Sequence, residues 1–201
     1  MKSRKSTVDA IGEIDIPMLR ERLMSMEPIG EDPYIKVYPY LIEFTSRQKE
    51  DIHSLISISH MVYGWMPTII ESRFCEEDST LWEKIDEGSI EESFLSRLKV
   101  CINNSIVGTS KLLHFRNPQQ YAIWDSRVFK SVTGREKNQI QMNNIGNFIA
   151  YTQRLRFLAV QPGIEDLKRD LIDKGYCSTN ASSLRVIELI LFYTSYSSHS
   201  V

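Results

Sequence analysis

The chain has 201 residues, 24 Lys and Arg against 26 Asp and Glu, a formal net charge of −2, 42% hydrophobic and 25% charged residues. These values fit a globular protein with room for one sizeable core and exclude a global basic field, so any nucleic-acid contact must come from a local patch. Three cysteines without CxxC spacing fit reduced thiols in a cytoplasm, and no apolar run approaches the roughly 18 residues of a membrane span or follows the basic N-terminus as a secretory signal would.

Taken in order, residues 1 to about 12 read as a polar, frayed start. A short helix is expected over 14–26, with Pro17 in its first turn where a missing N–H does no harm. Residues 27–40 carry three prolines and read as an extended lead-in, with a short strand at Tyr34–Tyr38. A strong helix is expected over 46–67, capped by Ser46 and ended by Gly64 and Pro67, with Ile52, Leu55, Ile56 and Tyr63 at helical spacing. From Cys75 to Glu92 eight acidic residues face Lys84 alone, which reads as a solvated face. Ser89, three before Glu92, is expected to cap the next helix, with Phe94, Leu98, Val100, Cys101 and Ile102 inward. Further helices are expected over 143–160, over 164–176 with Gly175 past its end, and over 178–197, the most apolar. Residues 1–45 read as an N-terminal extension packing on a helical domain over 46–201. The chain is mostly α with little β.

The stretch 103–134, NNSIVGTSKLLHFRNPQQYAIWDSRVFKSVTG, is the one place that suggests chemistry. Two short helices joined by a loop containing Pro118 bring Lys111 and Asp125 together. Between Lys111 and Lys137 six basic residues (Lys111, Arg116, Arg127, Lys130, Arg135, Lys137) stand against Asp125 and Glu136. Such a patch beside a helix start is either a phosphate seat or a surface matched to the acidic 76–92 face. A desolvated lysine is a competent nucleophile at a sugar C1′, and a carboxylate stabilises the positive charge that develops there. Lys111 also reads as a surface lysine, and Asp125 as a plain N-cap. His114 reads as a hydrogen-bonded core histidine or an acid–base group. Trp124 and Tyr121 either stack a base or fill the core, and the Tyr63–Trp65 corner is either core or an aromatic pocket wall.

The order V-G-x-x-K, helix, P, then D-x-x-V in VGTSKLLHFRNPQQYAIWDSRVFKSV resembles the helix-hairpin-helix DNA glycosylases, in the form of bacterial proteins with an 8-oxoguanine DNA glycosylase fold. The resemblance covers roughly residues 103–132. It implies a multi-helix glycosylase-like bundle in which Gly108, with Thr109 and Ser110, forms the hairpin turn on a DNA phosphate. Lys111 would attack C1′, Asp125 would assist, and Arg116, Arg127, Lys130 and Arg135 would hold phosphates. Tyr63, Trp65, His114, Tyr121 and Trp124 would wall the base pocket. The match has one glycine where the common pattern is G-x-G. The four-cysteine pattern of an iron–sulfur cluster is absent, so neither metal nor cofactor is implied. The implied activity is release of a flipped, damaged or modified base from DNA, with or without strand cleavage. The alternative is a non-catalytic module on the same fold that binds DNA or a protein partner, as in phage–host conflict.

Overall fold

A computed structural model describes residues 5–30, 32–64 and 73–196. It is mostly α: twelve helices and two 3-10 segments lie among the described residues. They run α1 (Thr7–Gly12), α2 (Ile16–Met24), α3 (Pro33–Ser46), α4 (Ile52–Gly64), α5 (Leu81–Asp86), α6 (Glu92–Cys101), α7 (Ile106–Arg116), α8 (Ser126–Thr133), α9 (Gln139–Met142), α10 (Ile145–Ala159), α11 (Ile164–Asp173) and α12 (Ser183–Tyr193). The 3-10 segments are Glu76–Thr80 and Thr194–Tyr196.

Capping chemistry decides several places where the structure departs from expectation. The start is not frayed from residue 6 on. Ser6 and Asp9 form a capping box, and α1 packs on α8 and α10 with Ile11 in the core. The lead-in is not extended either. Asp32 accepts from the backbone N–H of Tyr34 at 2.7 Å and Pro33 opens α3, so the stretch expected as a strand is helical and Pro39 sits inside it. Ser46 ends α3 and does not cap α4; Asp51 takes that role by accepting from the N–H of Ser54 at 2.8 Å. Ser89 lies two residues outside the N-cap of α6, Glu91, and Val100 faces solvent. By contrast α2, α10, α11 and α12 lie within the expected spans, and Gly175 follows α11 with a φ of 84°.

The acidic segment is only partly a solvated face. Leu81, Trp82 and Ile85 turn inward, and the Trp82 indole N–H donates to the carbonyl of Asp51 at 2.7 Å. Asp78 is buried and accepts from Arg97 Nε at 2.6 Å. Trp65 and Pro67 lie outside the described residues.

Two helices occupy the centre. α7 is buried along nearly its whole length and packs on α3, α4, α5 and α6. α12 buries Leu184, Val186, Ile187, Leu189, Ile190 and Leu191 and packs on α2, α8, α10 and α11. A helix apolar on every side belongs in the interior. The core cluster runs from Ile11 to Leu191, so the N-terminal helices and the rest share it.

Gly108 is not in a turn. It is the third residue of α7, and its N–H donates to the capping hydroxyl of Ser105 at 3.1 Å. The chain reverses before it, at Asn103 and Asn104, whose φ values are 52° and 50°. Glycine is required at 108 by contact: a Cβ would lie 2.0 Å from Tyr63 Oη and 2.8 Å from Ile102 Cγ2. Gly108→Ala is expected to destabilise the protein by ~1–3 kcal/mol through overpacking, with partial rescue in the Gly108→Ala/Tyr63→Phe double variant, read by urea denaturation.

Candidate functional site

The α7–α8 connection brings Lys111 and Asp125 to one cavity. α7 starts at the cap Ser105 and stops at Asn117, one residue before Pro118. The chain then crosses the core through Tyr121, Ala122, Ile123 and Trp124, all buried. Ser110 fixes this crossing: its hydroxyl accepts from the Trp124 N–H at 3.0 Å and lies 3.3 Å from the Trp124 carbonyl oxygen. Asp125 follows at once as the N-cap of α8, with Oδ1 accepting from the N–H groups of Arg127 at 2.9 Å and Val128 at 3.0 Å.

The cavity measures about 390 Å³ and opens between the start of α3, the middle of α7, the start of α8 and one side of α12. Its lining includes Asp32, Lys111, Asp125, Arg127, Arg185 and Glu188. Lys111 is 7% exposed and makes no hydrogen bond or ion pair among the described residues. Burial pushes its ammonium pKa down, and the charges of Asp125 and Glu188 partly offset that.

The deepest part of the cavity is an ion pair. Arg185 and Glu188, one helical step apart on α12, are bonded through Nη1 and Oε2. Glu188 is 1% exposed, and the Arg185 guanidinium lies 4.5 Å over the Tyr38 ring. Burial pushes the Glu188 carboxyl up to about 7, against the opposing charge of Arg185. At the mouth the Tyr193 hydroxyl donates to Asp32 Oδ2 at 3.1 Å, and the Arg127 guanidinium lies 4.5 Å over the Phe192 ring.

Of the other residues singled out from sequence, most lie away from this cavity. His114 is fully buried between the Tyr38 hydroxyl and the Tyr121 carbonyl, each at 2.8 Å. Burial drives its pKa down to about 3, so the ring is neutral and structural. The Tyr121 hydroxyl donates to the Ser89 carbonyl at 2.8 Å, and Trp124 Nε1 donates to the Met142 carbonyl at 3.1 Å while its ring packs on Tyr151 and Phe129. Tyr63 packs against Gly108. These four rings fill the interior and none lines the cavity. Thr109 and Ser110 are buried, and Thr109 donates back to the Ser105 carbonyl, so neither offers a hydroxyl to a phosphate.

The basic set divides. Arg116 is held by Asp86 at 2.9 and 2.7 Å and lies 4.6 Å over Trp82, which gives the pairing of the basic stretch with the acidic one. Lys130 pairs with Glu136 at 2.7 Å, and Arg135 bonds the Lys5 carbonyl. Besides Lys111, Arg127 alone of the set borders the cavity. Arg185, Glu188, Asp32 and the aromatic rim of Tyr34, Phe192 and Tyr193 were not singled out from sequence. One signal for two of them was present: a charged pair three residues apart inside the most apolar helix.

Among the described residues no group of three His, Cys, Asp or Glu side chains is placed to hold a metal ion, and no helix is long and apolar enough to cross a membrane. No protein-family model, curated protein or solved structure matches the chain.

The neutrality of His114 has a stability consequence. Its folded pKa lies below the unfolded value, so the unfolded chain takes up the proton first and stability is lost as pH falls below about 6.5. Between pH 7 and pH 5 this group should cost about 2 kcal/mol. Urea denaturation at both pH values should show that increment as the difference between the wild type and His114→Gln, since Glu188, raised to about 7, shifts both proteins in the opposite direction.

Proposed function

We propose that the chain is a DNA glycosylase-like protein that acts on a damaged or modified base flipped out of DNA. Lys111 is the nucleophile at C1′, and Asp125 is the carboxylate that stabilises the positive charge arising there. The observation that carries this reading is the setting of Lys111. It is an amine with no bonded partner among the described residues, desolvated, opening on the same cavity as a carboxylate fixed by a helix cap. A structural lysine of that depth would be expected to hold an ion pair.

The gradation of the cavity supports the same reading. Its floor is the buried Arg185–Glu188 pair, its middle holds Lys111 and Asp125, and its rim has exposed Arg127 and the α8 N-terminus. A nucleotide would set its base at the floor, its sugar at Lys111 and its phosphate at the rim, where backbone N–H groups and the helix dipole favour an anion. A volume of about 390 Å³ is near the small end of ligand sites, the scale of a single base or nucleoside. Flipping costs a few kcal/mol and is cheapest at damaged pairs.

A second reading, a non-catalytic module binding DNA or a protein partner, is favoured by one observation. Arg116 and Lys130 are spent on intramolecular carboxylates, which leaves a weaker grip on phosphate than the sequence suggested.

Borohydride trapping on duplex DNA with a preformed abasic site separates the two. The enzyme reading expects a covalent protein–DNA band from the wild type and none from Lys111→Gln or Lys111→Arg, with both variants folded by circular dichroism. Absence of the band, together with no base released from a panel of modified duplexes, leaves the binding module, in which Lys111→Arg retains binding.

A further inference from the structure

We infer that Glu188 is the acid that protonates the departing base. This rests on the glycosylase reading and adds a third functional group to Lys111 and Asp125.

The argument starts from the floor of the cavity. Glu188 is enclosed on a central helix, and its bonded oxygen is Oε2, held by Arg185; Oε1 accepts no hydrogen bond among the described residues. Arg185 Nε is also enclosed and makes no hydrogen bond among the described residues. An unbonded polar atom in an interior is costly, so a floor carrying that Nε beside Oε1 suits a ligand with a polar edge better than an apolar one. A nucleobase set with its sugar at Lys111 presents that edge to Glu188.

Asp125 is less suited to the task. Its Oδ1 is committed to two backbone N–H groups, and it lies nearer the mouth. Three acids (Asp32, Asp125, Glu188) and three cations (Lys111, Arg127, Arg185) share the cavity, so its net charge is balanced. Tyr38 of α3 and Tyr151 of α10 act on Glu188 from outside the lining and stay protonated, as does Tyr193 at the rim. Burial then decides the proton on Glu188 and favours the neutral acid, as it favours the neutral amine on Lys111.

The step balances without a further reactant. The neutral Lys111 amine forms a bond to C1′ as the C1′–N bond to the base breaks, and the electron pair of that bond goes to the base. The Glu188 proton moves to the base. The products are a neutral free base, a cationic Lys111–C1′ adduct and a Glu188 carboxylate beside the Arg185 guanidinium.

The test compares two reactions of one protein. Duplexes carrying 8-oxoguanine, 5-hydroxyuracil, uracil or hypoxanthine, whose bases leave as anions unless protonated, report base release; a duplex with a preformed abasic site reports borohydride trapping, in which no base departs. Wild-type release should fall on the alkaline side of neutrality, as the acid is lost, and trapping should show no such fall. In Glu188→Gln, release should slow by about 100-fold or more and lose the alkaline fall, while trapping stays within about threefold. Unchanged release and an unchanged profile in folded Glu188→Gln overturn the inference. So does a wild type that traps abasic DNA and releases none of the four bases. If Glu188→Gln does not fold, the wild-type profile decides: release without an alkaline fall overturns the assignment. A wild type that neither traps nor releases removes the glycosylase reading itself.

Discussion

A charged pair inside one of the two central helices constrains everything around it. Arg185 and Glu188 sit where α12 would otherwise be apolar on every side, and isolated charges there would be prohibitive. The pair is tolerable because its members bond each other and because Tyr38 lays its ring under the guanidinium. A pair of well-packed aliphatic residues would serve folding as well or better. The pair lies at the same cavity as Lys111, which makes no hydrogen bond or ion pair among the described residues.

Asp125 shows how one residue serves the fold and the site together. As an N-cap it ends the buried crossing and starts α8; the same bonds fix the carboxylate at the cavity wall. The crossing is held in turn by Ser110, one residue before Lys111. The positions of Lys111 and Asp125 are thus set by the hydrogen bond from the Trp124 N–H to the Ser110 hydroxyl, between their own neighbours.

What was legible in the sequence follows from range. The α7–α8 unit, the cap at Asp125 and the helices over 143–197 depend on spacing within a few residues, and they read correctly. The α3 region did not, because three prolines in 27–40 suggested extension, while Asp32 and Pro33 together form a helix start. Gly108 was read as a turn, yet its need for glycine comes from Tyr63 on another helix, a contact no local pattern carries. The aromatic residues next to Lys111 and Asp125 in sequence became core. The aromatic residues at the cavity instead come from both ends of the chain, Tyr34 from one and Phe192 and Tyr193 from the other.

The hydrogen bond from Tyr193 to Asp32 joins residues 161 apart. Asp32 is also the cap of α3, so the beginning of one wall is tied to the end of the other. Neither wall encloses anything alone. The cavity depends on both walls, and joining them closes a loop of that length at an entropic cost. A nascent or partly opened molecule would still carry the α7–α8 unit, with its lysine open to water and its ordinary basicity restored. Opening either wall would therefore undo the desolvation of Lys111 and the downward shift of its ammonium pKa.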